Sequence, residues 1–369
     1  MFKNATLYRL VKLPDDMADN MDSARFTPCG ATQDKSIGWI PPRDEHGALI
    51  EPVHGRWFVK VAIETKSVPS SEINKAVDAA CEQIEQMTGR KPGKKEKREL
   101  KENALLELLP QAFPKLKHVM VMIDREHELV FIDTASTGVS DDVVTLLVRA
   151  GLEIALLQTG QTPATFMTNC LLDEHDDFSD FILGRECVLE AQDDSKAKVT
   201  FKNHGLLSPE VRKHITEGKL PAKLALCDER STEFVLTDGL KLTKLKFGVP
   251  DATESNDADA FDADCVLIGT ALSDLATTLI SNMGGLLTFD LAVETGGEPA
   301  PHSEGDGPDP MYDQAVNIVM EEQKASISLI QRHLKIGYNR AARMLEQMEV
   351  NRLVSPMRPD GMRKILESA

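Results

Sequence analysis

The spacing of apolar side chains alternates between the two-residue period of strands and the 3.6-residue period of helices. Residues 57–64 predict a strand, and residues 71–87 place their apolar side chains on one helical stripe. Residues 94–109 continue as a charged helix. Two apolar runs, 119–124 and 129–133, flank a polar segment and predict a β-hairpin. This mixture predicts an α+β fold with antiparallel sheets.

The same mixture continues through the following 150 residues. Residues 198–201 predict a strand, 208–217 a short helix, and 233–242 a hairpin around Thr237-Asp238-Gly239, since Asp-Gly between apolar runs is a strong turn signal. The parity of the apolar residues changes after Leu242, which predicts a bulge near Thr243-Lys244.

The end of this unit has three predicted segments. The acidic residues 254–264 predict a loop, 266–268 a strand, and 273–283 a helix. Residues 293–309 then contain almost only Gly, Pro, Ser and acidic side chains, which predicts a flexible linker. The sequence therefore divides into a body over residues 1–292, a linker over 293–309 and a C-terminal module over 310–369.

The C-terminal module has the pattern of a winged helix-turn-helix domain. A helix over 313–320, a second from Ser326 to residue 335 and a third over 338–350 precede a two-stranded wing within 354–366.

The third helix of the module has two distinct faces. Its apolar positions share one sector, and they are Ala341, Met344, Leu345 and Met348. Asn339, Arg343 and Glu346 lie on the far side, and these side-chain types suit adenine, guanine and cytosine edges. On an isolated helix such residues would usually form a solvated face. Their place on the second helix of a helix-turn-helix favours reading of DNA bases.

Charge and composition qualify this picture. The chain has 42 Lys+Arg and 59 Asp+Glu, a net charge of −17 that taken alone argues against a nucleic-acid partner. The charge is uneven, because residues 310–369 carry 9 Lys+Arg against 7 Asp+Glu. The apolar stretches are interrupted by charges, the N-terminus lacks the apolar core of a secretory signal, and the six cysteines are far apart. We expect a cytoplasmic, nucleoid-associated protein with reduced thiols and no membrane span.

Motif searches favour a protein that is not an enzyme and that has no cofactor or metal. The chain has no Gly-rich phosphate loop, no nucleophile elbow and no paired-His metal helix. One alternative is a metal-dependent nuclease that uses Asp124 and Asp133, although acids at strand ends are far more often turn residues.

Two groups of basic residues in the body are candidates for phosphate contacts. The first is at the start of the charged helix and consists of Lys94, Lys95, Lys97 and Arg98. A solvated helix start explains that group equally well, since Lys and Glu alternate there at i, i+4 spacing. The second group surrounds the predicted hairpin and consists of Lys219, Lys223, Lys241, Lys244 and Lys246.

Several separated blocks of the body resemble the bacterial recombination-associated RdgC family. They include Phe2-Lys3-Asn4, Phe26-Thr27-Pro28-Cys29-Gly30, Gly38-Trp39-Ile40-Pro41-Pro42, Leu108-Leu109-Pro110-Gln111-Ala112-Phe113, Thr216-Glu217-Gly218-Lys219 and Phe261-Asp262-Ala263-Asp264. The resemblance implies a non-enzymatic ring-shaped homodimer that holds duplex DNA in a positively lined hole with little sequence preference. It also implies restraint of strand exchange by a RecA-type recombinase.

The module resembles the gamma domain of the FtsK DNA translocase, through the run from Lys324-Ala325-Ser326-Ile327-Ser328 to Ile336-Gly337-Tyr338-Asn339-Arg340-Ala341-Ala342-Arg343. This resemblance implies recognition of short, oriented, G-rich sites, with Asn339, Arg343 and Glu346 at base-contacting positions. The phosphate contacts implied by it are Arg332, Lys335, Arg340, Arg358, Arg363 and Lys364.

The sequence thus predicts a DNA-binding protein that modulates homologous recombination, with a sequence-blind ring-forming body and a module that targets it. A transcriptional regulator with an N-terminal dimerisation domain is the alternative of a different class. A regulator would protect a few promoter sites, whereas a ring would cover DNA broadly.

Overall fold

The computed structural model describes residues 2–44, 46–172, 180–193, 195–248, 258–287, 311–322, 325–334, 341, 344–345, 347–349, 351–355 and 365–366. It confirms the α+β class. Twelve strands form one sheet in the order β2-β4-β5-β6-β1-β12-β11-β10-β8-β9, with β3 paired to β4 and β7 to β1. All of the strand pairs are antiparallel.

The bounds of the strands are β1 Ala5–Lys12, β2 Lys35–Ile40, β3 Glu51–Val53, β4 Arg56–Lys66, β5 Pro114–Asp124, β6 Leu129–Ile132, β7 Glu153–Leu156, β8 Phe181–Ala191, β9 Lys198–Lys202, β10 Lys219–Asp228, β11 Glu233–Thr237 and β12 Lys241–Lys246. The bounds of the helices are α1 Met17–Asp22, α2 Ser70–Thr88, α3 Lys94–Leu108, α4 Thr137–Arg149, α5 Pro163–Leu172, α6 Pro209–Thr216, α7 Ala258–Asn282, α8 Tyr312–Glu321 and α9 Ile327–Leu334. A 3-10 turn, Leu109–Gln111, follows α3.

Helices cover the two faces of the sheet unequally. One face packs against α5, α6 and α7 along its length, in a core that includes Phe58, Phe131 and Leu224. The opposite face packs against α1 and α4 over β2, β4, β5, β6, β1 and β7. Of these strands, β4, β5, β6 and β1 contribute buried residues to both cores and are apolar on both faces, as strands covered on two sides must be. On β12, β11, β10, β8 and β9, one face has no described helix packed on it.

Three local predictions about the second half of the body are confirmed. Ser208 caps α6 by accepting a hydrogen bond from the Val211 amide. The Asp-Gly turn joins β11 to β12. Lys244 has a φ of 55°, and the register between these strands shifts beside it, which is the bulge that the change of parity predicts.

The prediction for the end of the body is wrong in part. Residues 258–264, predicted as loop, and 266–268, predicted as strand, belong to the long helix α7. Its buried apolar residues follow the helical period and lie on one side of the helix; they are Cys265, Leu272, Leu275, Ala276, Leu279 and Ile280. A short apolar run is equally compatible with a buried strand and with a buried helix, so the run at 266–268 could not distinguish the two. Residues 254–257 lie outside the described residues.

Within the described residues, one helix, residues 260–282, is long and apolar enough to cross a membrane. Its apolar side belongs to the core of the body. Gly269 lets this helix approach the sheet closely, because a Cβ there would lie 3.1 to 3.3 Å from side-chain atoms of Arg56, Met122 and Phe58. The apolar character of α7 is thus used inside the fold.

The helices α2 and α3 form an arm whose apolar stripe is only partly covered. Both helices form as predicted, and they pack on each other. Of the stripe on α2, only Ile73 is buried, and Met87 is 86% exposed.

The described residues of the C-terminal module agree with the predicted winged helix-turn-helix architecture. Its first two helices are α8 and α9, and residues 341, 344–345 and 347–349 belong to the third. The four predicted packing residues of that helix, Ala341, Met344, Leu345 and Met348, are all buried. Val354 pairs with Ile365 in an antiparallel bridge, where the wing is predicted.

A buried polar cluster fastens α7 to the sheet. Arg56 Nε lies 3.5 Å from Asp124 Oδ2 and donates to Ser273 Oγ at 3.0 Å. Ser273 donates to Asp124, and His127 Nδ1 lies 2.8 Å from the same carboxylate. Burial acts to raise the pKa of Asp124, but the hydrogen bonds from Ser273 and His127 outweigh it and hold that pKa below its ordinary value. The cluster therefore contains an ionised, paired carboxylate.

We expect Arg56→Met to lower the free energy of unfolding by about 3 kcal/mol, because it leaves Asp124 buried without its cation. Urea denaturation measures the change. Lys12→Met is the matched control, since Lys12 pairs with Glu153 at 3.9 Å on the surface and should contribute less than about 1 kcal/mol. Equal losses for the two variants would contradict this role of Arg56.

Candidate nucleic-acid interface

The part of the sheet without a helix on it has a strongly charged face. This open sheet face is the side of β12, β11, β10, β8 and β9 that is opposite α5, α6 and α7. Its lysines alternate along the strands with apolar residues of the core, as Lys202 does with Phe201 and Lys223 with Leu224. The charged side chains on this face are Lys198, Lys202, Lys223, Lys241, Lys244, Lys246, Glu186, Glu190 and Glu233.

The glutamates of the open sheet face form ion pairs with its lysines, two of them across neighbouring strands and the one between Lys244 and Glu186 across β11 and β10. Lys244 Nζ lies 2.6 Å from Glu186 Oε2, and Lys246 Nζ lies 3.1 Å from Glu233 Oε2. Lys198 Nζ lies 2.9 Å from Glu190 Oε2. Such pairs on a surface are worth little and break readily. The face keeps a net positive charge, because its lysines outnumber its glutamates, but the glutamates make that charge smaller.

Lys241 is at the border between the open and the covered part of the sheet. Its Nζ donates to the Thr137 hydroxyl, at the start of α4, at 2.7 Å. It also donates to the Ala135 carbonyl, just before that helix, at 3.1 Å. The charge of Lys241 is thus held toward the covered half.

Lys219 lies on the other side of the sheet from the rest of its predicted group. Its Nζ lies 3.4 Å from His214 Nδ1 of α6 and 3.9 Å from Glu217. A register shift between Pro221 and Lys223 separates it from the residues that follow. Four of the five predicted lysines therefore share the open sheet face.

Two lysines of this face were missed by the sequence analysis, Lys198 and Lys202 in β9. The alternation Lys198-Val199-Thr200-Phe201-Lys202 is a signal for them, since it puts both lysines and Thr200 on one face. Pairing of β9 with β8, and of β8 with β10, then brings Lys202 into the neighbourhood of Lys223.

The other basic group of the body belongs to the arm. Lys94, Lys95, Lys97 and Arg98 are all exposed in the first turns of α3. Arg98 Nε lies 3.7 Å from Glu102, one turn along the helix. The structure thus assigns this group to an element different from the open sheet face.

In the C-terminal module, the described residues include those that pack the helices together, but none of the side chains that are predicted to contact DNA. Tyr312 accepts a hydrogen bond from Asn351 Nδ2 at 2.7 Å, which ties the first helix to the end of the third. The predicted DNA-contacting residues lie outside the described residues or have side chains outside them, and they are Arg332, Lys335, Asn339, Arg340, Arg343, Glu346, Arg358, Arg363 and Lys364.

The two carboxylates of the nuclease alternative do not form one site. Asp124 is opposite Leu129 at one end of the β5–β6 pairing, whereas the Asp133 amide bonds to the Met120 carbonyl at the other end. Four extended residues separate these ends by about 13 Å. Asp133 also accepts hydrogen bonds from the Lys3 and Asn4 amides. In the portion of the chain that the structure describes, no three His, Cys, Asp or Glu side chains are grouped to hold a metal ion.

The cysteines have the environment of reduced thiols. All six are free, and Cys170, Cys187 and Cys265 are buried. Desolvation raises the pKa of Cys187 to about 11 and, with nearby carboxylates, that of Cys265 to about 12. These two thiols are therefore protonated packing residues.

Comparison with known proteins matches both parts of the chain. Residues 1–286 match a family model described as "Putative exonuclease, RdgC", and residues 306–368 match the FtsK gamma domain. Recombination-associated protein RdgC from Janthinobacterium sp. is 31% identical over 296 residues, which cover 77% of this chain and 98% of that protein. The protein of the same name from Bordetella pertussis is 32% identical with the same coverage. The one from Burkholderia cenocepacia is 32% identical over 295 residues, or 77% and 95% of the two chains.

The RdgC match over residues 1–286 covers the whole antiparallel sheet and helix α7. The chain belongs to the RdgC family of recombination-associated proteins and has, in addition, an FtsK gamma domain at its C-terminal end.

Proposed function

We propose that this protein binds duplex DNA in recombination through two different surfaces, and that it acts by binding and not by catalysis. The open sheet face binds phosphates without regard to sequence, and the winged helix directs the protein to short, oriented, G-rich sites. The observation that carries this proposal is the concentration of lysines on the one uncovered sheet face of a chain whose net charge is −17.

The geometry of a sheet suits contact with a phosphate backbone. Adjacent strands are about 4.8 Å apart, so lysines on neighbouring strands present several ammonium groups over one surface. Each phosphate neutralised by a lysine releases condensed counterions, which gives affinity without sequence information and a strong dependence on salt.

The winged helix supplies the sequence information. Its third helix buries Ala341, Met344, Leu345 and Met348. Asn339, Arg343 and Glu346, which lie on the opposite side of a helical wheel, then contact base edges in the major groove. Because the two units are on one chain, binding of one raises the local concentration of the other.

We propose further that the body forms the ring-shaped homodimer that the family resemblance implies. The arm, the segment that joins it to β5 and the first residues of β5, all of which we include in the arm from here on, have apolar side chains that the described fold leaves in solvent, with Phe113 93% exposed and Leu106 and Leu116 about half exposed. An exposed apolar cluster of this kind is typical of an interaction surface. A second copy of the chain covers it, and the two bodies then surround the duplex.

In the cell, such a protein associates with the nucleoid in the cytoplasm. By occupying duplex DNA near its preferred sites, it restrains strand exchange by a RecA-type recombinase. Its two DNA-binding surfaces require neither a cofactor nor a metal.

We expect Arg343→Ala in the intact protein to cost about 1–3 kcal/mol of binding to a duplex with an oriented G-rich motif, because a base contact is lost. Binding to the same duplex with its sequence scrambled should be unchanged. Fluorescence anisotropy on both duplexes measures the difference. Equal losses on the two would refute targeting through this residue.

We expect Lys202→Gln to weaken binding to every duplex alike and to reduce the slope of log K against log salt by about 1. The matched control is Lys213→Gln, which removes one exposed lysine from α6 on the opposite side of the sheet. Salt titrations of the two variants test the open sheet face. The same loss in both would show only a dependence on net charge.

We expect Phe113→Asp to convert the dimer to a monomer at concentrations where the native protein is dimeric, because a charge cannot be buried unpaired in the interface. Sedimentation velocity gives the mass. Val11→Asp, at an exposed apolar position of β1 outside the arm, is the control. An unchanged mass for Phe113→Asp would contradict dimerisation through the arm.

A further inference from the structure

Glu186 lies among lysines on the open sheet face. It is directly opposite Lys202 in the pairing of β8 with β9. Its carboxylate lies 2.6 Å from Lys244 Nζ, and 27% of its side chain is exposed. The carboxylate is thus central to the group of lysines and still open to solvent.

The glutamate is ionised in this environment. The hydrogen bond from Lys244, with the charges of Lys244, Lys202 and Lys223, lowers the pKa of Glu186 below its ordinary value despite some desolvation. Its negative charge therefore acts on three lysines at neutral pH.

Glu190 has a similar arrangement four residues further along β8. It is opposite Lys198 in the same pairing, its carboxylate lies 2.9 Å from Lys198 Nζ, and its side chain is 23% exposed. Both glutamates thus form ion pairs with lysines of the same sheet face, Glu190 with the adjacent strand β9 and Glu186 with β12.

A carboxylate and a phosphate oxygen compete for the same ammonium groups. A surface ion pair is weak, so DNA can displace it, but the glutamate charge stays nearby and repels the phosphate. The two carboxylates therefore oppose DNA binding on this face and are not needed to hold the strands together.

We propose that Glu186 and Glu190 act as built-in competitors of DNA phosphates, which hold down the sequence-independent affinity of the open sheet face. This inference rests on the proposed function, because it assumes that DNA binds this face. Its consequence is that the winged helix, and not the body, decides where the protein is bound.

If these glutamates positioned the lysines for DNA, their removal would change the DNA affinity in the opposite direction. If Glu186 served to orient Lys244 toward a phosphate, loss of the carboxylate would weaken binding. The direction of the change in affinity therefore separates competition from positioning.

The test is Glu186→Gln in the full chain, which removes the charge and keeps the shape of the side chain. Binding is measured by anisotropy on a short duplex without G-rich runs, over a series of salt concentrations. We expect about 2- to 5-fold tighter binding at low salt and a smaller gain at high salt, as screening weakens the repulsion. Glu153→Gln is the matched control. Glu153, on β7, forms an exposed ion pair with Lys12 of β1, and its substitution should leave DNA binding unchanged.

Glu190→Gln is the second variant, and it decides the matter if thermal unfolding shows that Glu186→Gln is not folded. Unchanged or weaker binding of the folded variants would overturn the competition. So would an equal gain in Glu153→Gln, since net charge alone would then explain it.

The failure of the proposed function is distinguishable from this outcome. If Lys202→Gln weakens binding but the glutamate variants bind as the native protein does, the open sheet face stands and the competition is wrong. If Lys202→Gln and both glutamate variants leave binding unchanged, DNA does not use this face and both proposals fail.

Discussion

The unequal covering of one large sheet is the constraint on which the rest of the structure depends. Strands with helices on both sides must be apolar on both faces, and β6 is buried at all four of its residues. Strands with helices on one side only must alternate, so each inward residue of β9 has a polar neighbour on the other face, as Phe201 has Lys202. The sheet therefore has a charged face because α1 and α4 extend over only part of it.

Electrostatics then determines what that face can hold. A net charge of −17 repels DNA at long range, but at physiological salt exposed charges further apart than about 8 Å are largely screened. A phosphate at the open sheet face is affected mainly by the nearby charges. These are Lys198, Lys202, Lys223 and Lys244, with the carboxylates of Glu186 and Glu190. An acidic protein with a local excess of lysines is in this way compatible with nucleic-acid binding.

Local features of the fold followed from the sequence, and features that depend on distant pairing did not. The buried stripe of the third helix of the module and the bulge at Lys244 are set by nearest neighbours, and both were predicted. The grouping of Lys202 with Lys223 depends on β8 lying between β9 and β10, and the separation of Lys219 depends on a register shift. No local pattern contains this information. The second half of helix α7 was predicted, but its first half was missed because the acidic start conceals a helical period that only the core makes evident.

The two proposed DNA-binding surfaces on one chain raise a problem of selectivity. Every base pair of a genome offers a site to a surface that binds phosphates, so preferred sites are occupied only where the specific contacts exceed the total of nonspecific ones. A body with unopposed lysines would keep the winged helix on random DNA, however well that helix discriminates. Lower affinity of the body raises the ratio of specific to nonspecific binding without any change in the base-reading residues. Under the proposed function, the glutamates beside Lys198 and Lys244 reduce the charge where it matters for that ratio. Lys202 and Lys223 have no carboxylate within ion-pair distance among the described residues, and in this proposal they leave enough affinity for the body to remain bound once the winged helix has found its site.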